Sequence, residues 1–144
     1  MRCKGDSLKL YLSLTYHGTD GYTKQIDDAL DTTAYLANLV SKHPKLVLVS
    51  ENPPPYCQVC FYYAKGRRLD ENGEENGRVM KHVVQGLVPK GFIIDYAGGD
   101  ERGSFLRPVV SRGTGKKTVE ALVEAVVDLG AKAVTAGKEG GKGC

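Results

Sequence analysis

The chain has 144 residues, 41% of them hydrophobic, 26% charged and 8% aromatic, which suits one globular domain that buries roughly 68–70% of its unfolded surface without a disulfide or metal staple. Twenty Lys+Arg against seventeen Asp+Glu leave +3, too small and too evenly mixed an excess to indicate a nucleic-acid or anionic-membrane partner. No apolar run approaches the ~20 residues of a spanning helix, and the basic start Met1-Arg2-Cys3-Lys4 meets Asp6 and Lys9 instead of an apolar core and cleavage site, so the sequence predicts a cytoplasmic protein with Cys3, Cys57, Cys60 and Cys144 reduced.

Leu8, Leu10, Leu12 and Leu14 alternate strictly, which by period reads as a half-buried strand, although Asp6 and Ser7 are equally suited to cap a helix. Residues 20–42 carry Tyr22, Ile26, Leu30, Ala34, Ala37 and Val40 at steps of three or four, with Asp20 as N-cap and Pro44 past the end. Leu46–Val49 is a short apolar strand, ended by Pro53-Pro54-Pro55. Val59–Tyr63 is a second strand, rich in β-formers.

The polar, Gly-containing stretch Lys65–Gly77 reads as an exposed loop, and a helix follows over 76–88 until Pro89-Lys90-Gly91. Phe92–Tyr96 and Ser104–Ser111 read as adjacent strands about the Gly98-Gly99 turn. Val119, Leu122, Val123, Val126 and Val127 form the stripe of a last helix, capped by Thr114 and closed by Gly130. The expected architecture is an α+β two-layer domain over residues 1–136, a mostly antiparallel sheet with helices on one face, followed by a flexible Gly/Lys-rich tail over 137–144.

Few residues stand out chemically. Cys57-x-x-Cys60 has no second pair and no nearby His to complete a four-ligand metal site, and strand positions three apart face opposite sides, so both cysteines read as structural. His43 and His82 read as solvated; His17, in Tyr16-His17-Gly18-Thr19, leads into a helix and is a candidate acid or base. The glycine clusters at 18–21 and 113–115 match neither a Walker loop nor a dinucleotide fingerprint.

Arg107 is the sharpest candidate. It sits in the apolar strand Phe105-Leu106-Arg107-Pro108-Val109-Val110, and a guanidinium there needs a carboxylate or phosphate because it cannot shed its charge. The partner is either an internal Asp or Glu or a ligand carboxylate held in a fork. Asp95 and Tyr96, ending the preceding strand, are within pairing reach, and Pro108 favours an edge or a bulge.

Four segments in order, Asp6-Ser7-Leu8-Lys9-Leu10, Tyr16-His17-Gly18-Thr19-Asp20-Gly21-Tyr22, Gln58-Val59-Cys60-Phe61-Tyr62-Tyr63 and Phe105-Leu106-Arg107-Pro108-Val109-Val110, resemble the C-terminal part of the group II pyridoxal-phosphate-dependent decarboxylases, the glutamate, cysteine-sulfinate and aromatic-amino-acid decarboxylase group. The resemblance covers about residues 3–130. It implies the small C-terminal domain of a fold type I enzyme, truncated and lacking the cofactor-lysine domain. It also implies a helix over Leu8–Tyr16, against the period-two count, and it gives Arg107 the role of holding a substrate α-carboxylate.

The family's Asn-Pro-His-Lys segment is not among these residues, and Lys42-His43-Pro44-Lys45 has the wrong order. The expectation is therefore a decarboxylase-like pseudoenzyme with no cofactor. Its face, bared where the large domain would pack, is expected to form a homo-oligomer or a ligand pocket. The leading function is binding, and cofactor-independent biosynthetic transformation of the cyclase or isomerase type, of a small carboxylate-bearing molecule, with Arg107 as its anchor and Asp95, Tyr96 and His17 as acid/base groups. The alternatives are a non-catalytic partner or regulatory subunit of a full-length decarboxylase, and a vestigial fragment.

Overall fold

The computed structural model describes residues 3–99 and 101–139. The chain begins with α1 (Cys3–Lys42), bent at Gly18, whose φ of 65° and ψ of 177° are not helical. The leucines at 8, 10, 12 and 14 lie on this helix and not on a strand, all four exposed. Together with Tyr11 and Tyr16 they are spread around the first half of α1 between polar residues such as Asp6 and Lys9, so the stretch shows no single 3.6-residue stripe to read. Among the described residues, none before Ala29 is buried; from there Leu36, Ala37 and Val40 enter the core.

Four short strands, β1 (Leu46–Leu48), β2 (Phe61–Tyr63), β3 (Asp95–Ala97) and β4 (Phe105–Arg107), form one antiparallel sheet in the order β1-β2-β4-β3. Side chains alternate across it. Phe61, Tyr63 and Leu106 face α1, α2 (Gly73–Leu87) and α3 (Lys116–Glu139) and share one core with Met80, Val83 and Val126. At about 1.5–3 kcal/mol for each fully buried large apolar side chain, this single-sided layer is what holds the domain together. The protein is a two-layer α+β domain.

Several boundaries differ from the sequence expectation. Helix α2 starts at Gly73, inside the stretch read as loop, because the Asn72 Oδ1 accepts the Glu74 N–H at 3.0 Å and caps it. The second half of α1 begins just past the non-helical Gly18, two residues before Asp20, so the expected helix start falls at the bend. Gly130 does not close α3, which continues to Glu139 and takes in residues 137–139 of the expected tail; residues 140–144 lie outside the described residues. Gly130 is there for space, since a Cβ on it would lie 2.4 Å from Tyr63 Cδ2.

Pro108 lies at neither an edge nor a bulge. Strand β4 is interior, and the pairs Phe61–Leu106 and Gln58–Val109 keep one unbroken register past the proline. Among the described residues, no helix is long and apolar enough to cross a membrane.

Candidate functional site

The β3–β4 hairpin sets Asp95 opposite Arg107, Tyr96 opposite Leu106 and Ala97 opposite Phe105. Residues directly opposed in an antiparallel pair share a face. Asp95 and Arg107 therefore lie together on the face away from the helices. An Arg107 Nη2 N–H donates to Asp95 Oδ2 at 2.7 Å, with the two side chains 39% and 67% exposed. This is a surface pair and not the largely buried guanidinium that the apolar strand predicts; the face is solvent-exposed at this pair and buried at Tyr62 on β2, the strand next to β4. A guanidinium has five N–H donors, and Asp95 takes one.

The same alternation puts Tyr96 on the other face with Leu106, so its ring does not join Arg107. His17 sits at the α1 bend, edge-on to Tyr16 and Tyr22. Its Nδ1 is 3.3 Å from Gln25 Nε2, and Gln25 Oε1 accepts from Arg112 Nη1 at 3.1 Å. His17 is thus tied to the loop after β4 rather than to Arg107. The structure brings together Arg107 and Asp95 alone of the four candidates.

It adds Cys60, read from the sequence as structural, and Gln58, which the sequence did not single out. The register through Phe61–Leu106 and Gln58–Val109 sets Cys60 opposite Arg107. Val59 N–H donates to Pro108 O at 3.2 Å and Val110 N–H to Cys57 O at 2.8 Å, which makes Cys60–Arg107 a non-hydrogen-bonded pair, the kind whose side chains lie closest. Gln58 shares this face and its Nε2 lies 3.5 Å from Cys60 Sγ. The outer face therefore carries a polar row, Asp95, Arg107, Cys60, with Gln58 beside it. Cys57 and Cys60 are both free thiols, half-buried.

In the next row, Phe105 meets the ring of Tyr62 edge-on at 5.9 Å. The Tyr62 hydroxyl donates to Gly103 O at 3.1 Å and fixes the β3–β4 loop. That loop is braced again by Asn76, 6% exposed, which donates to Asp70 O and Arg102 O and accepts from Asp70 N–H. Arg107 accordingly stands on a strand whose neighbours on both sides are held.

Comparisons with known proteins show the family of the chain. Over 131 residues, 91% of the chain and 26% of the relative, it is 38% identical to the L-aspartate decarboxylase dtxS4 of Metarhizium robertsii. Over 112 residues, 74% of the chain and 22% of the relative, it is 30% identical to the cysteine sulfinic acid decarboxylase of Mus musculus. The crystal structure of mouse CSAD superposes with a TM-score of 0.77 at 26% identity, covering 87% of this chain and 27% of that one. The chain belongs to the group II pyridoxal-phosphate-dependent decarboxylases, as their small C-terminal domain. No family model matches it.

The chain spans about a quarter of the length of the curated decarboxylases it matches. The cofactor that gives this decarboxylase family its name does not fit the Lys42-His43-Pro44-Lys45 segment. Lys42 and Lys45 are exposed at the end of α1, and His43 between them accepts the Lys45 backbone N–H on Nδ1 at 3.2 Å. Burial, with the Lys45 charge second, holds the His43 pKa below its ordinary value. This is a helix end satisfying its own backbone and not a cradle for a ring and a phosphate; His43 is half-buried rather than solvated as expected, whereas His82 is exposed. Among the described residues no three His, Cys, Asp or Glu side chains gather to hold a metal.

Proposed function

We propose that this decarboxylase-type domain, in a cytoplasmic protein, is a carboxylate-recognition module that grips a small amino or organic acid through Arg107. The observation that carries this reading is the single 2.7 Å bond from Arg107 to Asp95 at a solvent-exposed part of the sheet. It leaves a planar donor fork turned to solvent, beside Cys60 and Gln58, and a carboxylate fits such a fork with two parallel bonds. The aspartate and cysteine-sulfinate decarboxylases among its relatives suggest an acidic amino acid as ligand.

The geometry favours binding over turnover. Asp95 is engaged by the arginine, Tyr96 is on the opposite face and His17 is bonded to Gln25, so of the three acid/base groups expected from the sequence only Asp95 stands beside Arg107, and it is already paired. Titration of the 144-residue protein with L-aspartate and L-cysteine sulfinate, followed by amide NMR shifts, tests the proposal. Saturable shifts centred on Asp95, Cys60 and Arg107, lost in Arg107→Ala while the remaining spectrum is kept, are expected. Shifts elsewhere, or none, overturn it.

A second reading, as a partner of a full-length decarboxylase or of a second copy of this chain, draws on α1. Leu8, Leu10, Tyr11, Leu12 and Tyr16 are each more than half exposed on one short helical stretch, an apolar surface that calls for a cover. Sedimentation of the pure protein above 15.6 kDa, reduced to the monomer mass by Leu10→Lys with Leu12→Lys, identifies self-association through it. Co-purification with a longer decarboxylase, lost in the same variant, identifies the partner role. A monomer with neither behaviour removes this reading.

A further inference from the structure

A groove of about 310 Å³ opens on the helix side of the sheet, at the foot of α2 and α3. Its wall is Tyr63, Leu69, Val79 and Val134, and its rim carries Lys65 and Arg68. The volume sits at the lower end of the ~300–1,000 Å³ range of small-molecule pockets. Arg107 faces the other side of the sheet, so this is a separate place on the molecule.

Its polar groups sort into spent and unspent. Asp70 Oδ1 accepts the Asn72 N–H at 2.9 Å, and Glu75 holds Arg78 through both carboxylate oxygens at 2.5 and 2.8 Å. The Arg78 bond pulls the Glu75 pKa below its ordinary value. Asn76 is fully used in bracing the loops. Three donor groups remain, beside the Asp70 carboxylate, whose charge the Asn72 N–H does not remove. Lys65 and Arg68, both exposed, pair with no carboxylate among the described residues.

The third is Tyr63, 5% exposed, whose hydroxyl makes no hydrogen bond among the described residues. No buried side-chain oxygen or nitrogen there is both sealed from solvent and unpaired, so this hydroxyl meets the groove. Burial raises its pKa, which keeps the proton on and the group a donor. The phenol ring is buried and its hydroxyl opens on the groove with no protein acceptor among the described residues, so an acceptor atom of a ligand lying there can take its hydrogen bond.

We infer that this groove is a second binding site, for a small apolar carboxylic acid whose hydrocarbon body lies against Val79 and Val134, whose carboxylate meets Arg68 and Lys65 and which accepts the Tyr63 O–H. The apolar wall supplies most of the affinity, and the two cations with the phenol supply the choice of an acid over its neutral analogues.

The test uses the full chain and 3-phenylpropanoate as probe, with 3-phenylpropan-1-ol as its uncharged counterpart. Saturable amide shifts at Tyr63, Leu69, Val79 and Val134 with the acid and none with the alcohol are expected. Lys65→Ala with Arg68→Ala, both at exposed positions, weakens binding about tenfold or more, and Tyr63→Phe weakens it about threefold or more. Arg107→Ala leaves the affinity read from these groove amides unchanged, whatever it does to acid binding at the opposite face. No saturable shift at the groove, equal response to the alcohol, or full affinity in the double cation variant overturns the assignment.

Discussion

Arg107 and Asp95 are opposed residues of one hairpin, joined by a 2.7 Å bond at a solvent-exposed part of the sheet. An internal carboxylate thus already sits where an external one is proposed to bind, and the two compete for the same guanidinium. With side chains 39% and 67% exposed, the pair is screened by solvent and contributes only about 0–1 kcal/mol to stability. Asp95→Asn is expected to leave the melting temperature within about 2 °C and to tighten binding of L-aspartate about two- to fivefold, the gain set by the strength of the pair it removes. Isothermal titration of both proteins checks this. Weaker binding in Asp95→Asn means that Asp95 helps hold the ligand instead of competing with it.

Local features of the fold were legible and non-local ones were not. The β3–β4 hairpin follows from strand formers on either side of Gly98-Gly99, and so does the Asp95–Arg107 pair that depends on it. Cys60 beside Arg107 depends on β2 pairing with β4 across the whole of α2 and β3, and no spacing in the sequence encodes that register. The Leu8–Leu14 alternation misled because period counting assumes one buried face; the first half of α1 buries none within this domain. Gly130 misled because a glycine required by a neighbour's ring looks, in sequence, like a glycine that ends a helix.

Gly130→Ala separates those two roles of glycine. Inside a helix, alanine gains up to about 1 kcal/mol over glycine. Here the added Cβ would sit 2.4–2.6 Å from three ring carbons of Tyr63, a side chain held in the core between β2 and α3. Overpacking of this kind costs about 1–3 kcal/mol. A net fall in urea midpoint is expected. A rise would mean that the ring moves aside freely, which would also reshape the groove that Tyr63 lines.

Asn76 joins two loops to the first turn of α2. Its amide makes three bonds, at 2.9, 3.0 and 3.1 Å, to Asp70 and Arg102 backbone groups from a position 6% exposed. Asn76→Ala strands those groups, at about 1–3 kcal/mol. Asn76→Asp keeps the acceptor but turns the two donated bonds into repulsions between a carboxylate and carbonyl oxygens, so it should be no better tolerated than alanine. Thermal melts of the two variants rank them, and amide exchange at residues 101–104 is expected to speed up in both.

His43 gives the domain a pH response near neutrality. In the folded protein its pKa lies below the ordinary value of 6.5, because burial and then the Lys45 charge disfavour the imidazolium. Its Nδ1 also accepts the Lys45 N–H, a bond open only to the neutral ring. The unfolded chain therefore takes up a proton at a higher pH than the folded one, and stability declines as pH falls below about 6.5. Glu75 and Asp128 act in a lower window. Bonds from Arg78 and Lys132, respectively, depress their pKa values from 4.5 and 3.8, so their stabilisation is complete above those values and is lost as pH drops further. Urea midpoints between pH 5 and 7 thus isolate the histidine. His43→Asn, which keeps an acceptor two residues before the Lys45 N–H but does not titrate, is expected to flatten the slope in that range and leave the decline below pH 4.5 in place; an unchanged slope assigns the response to another group.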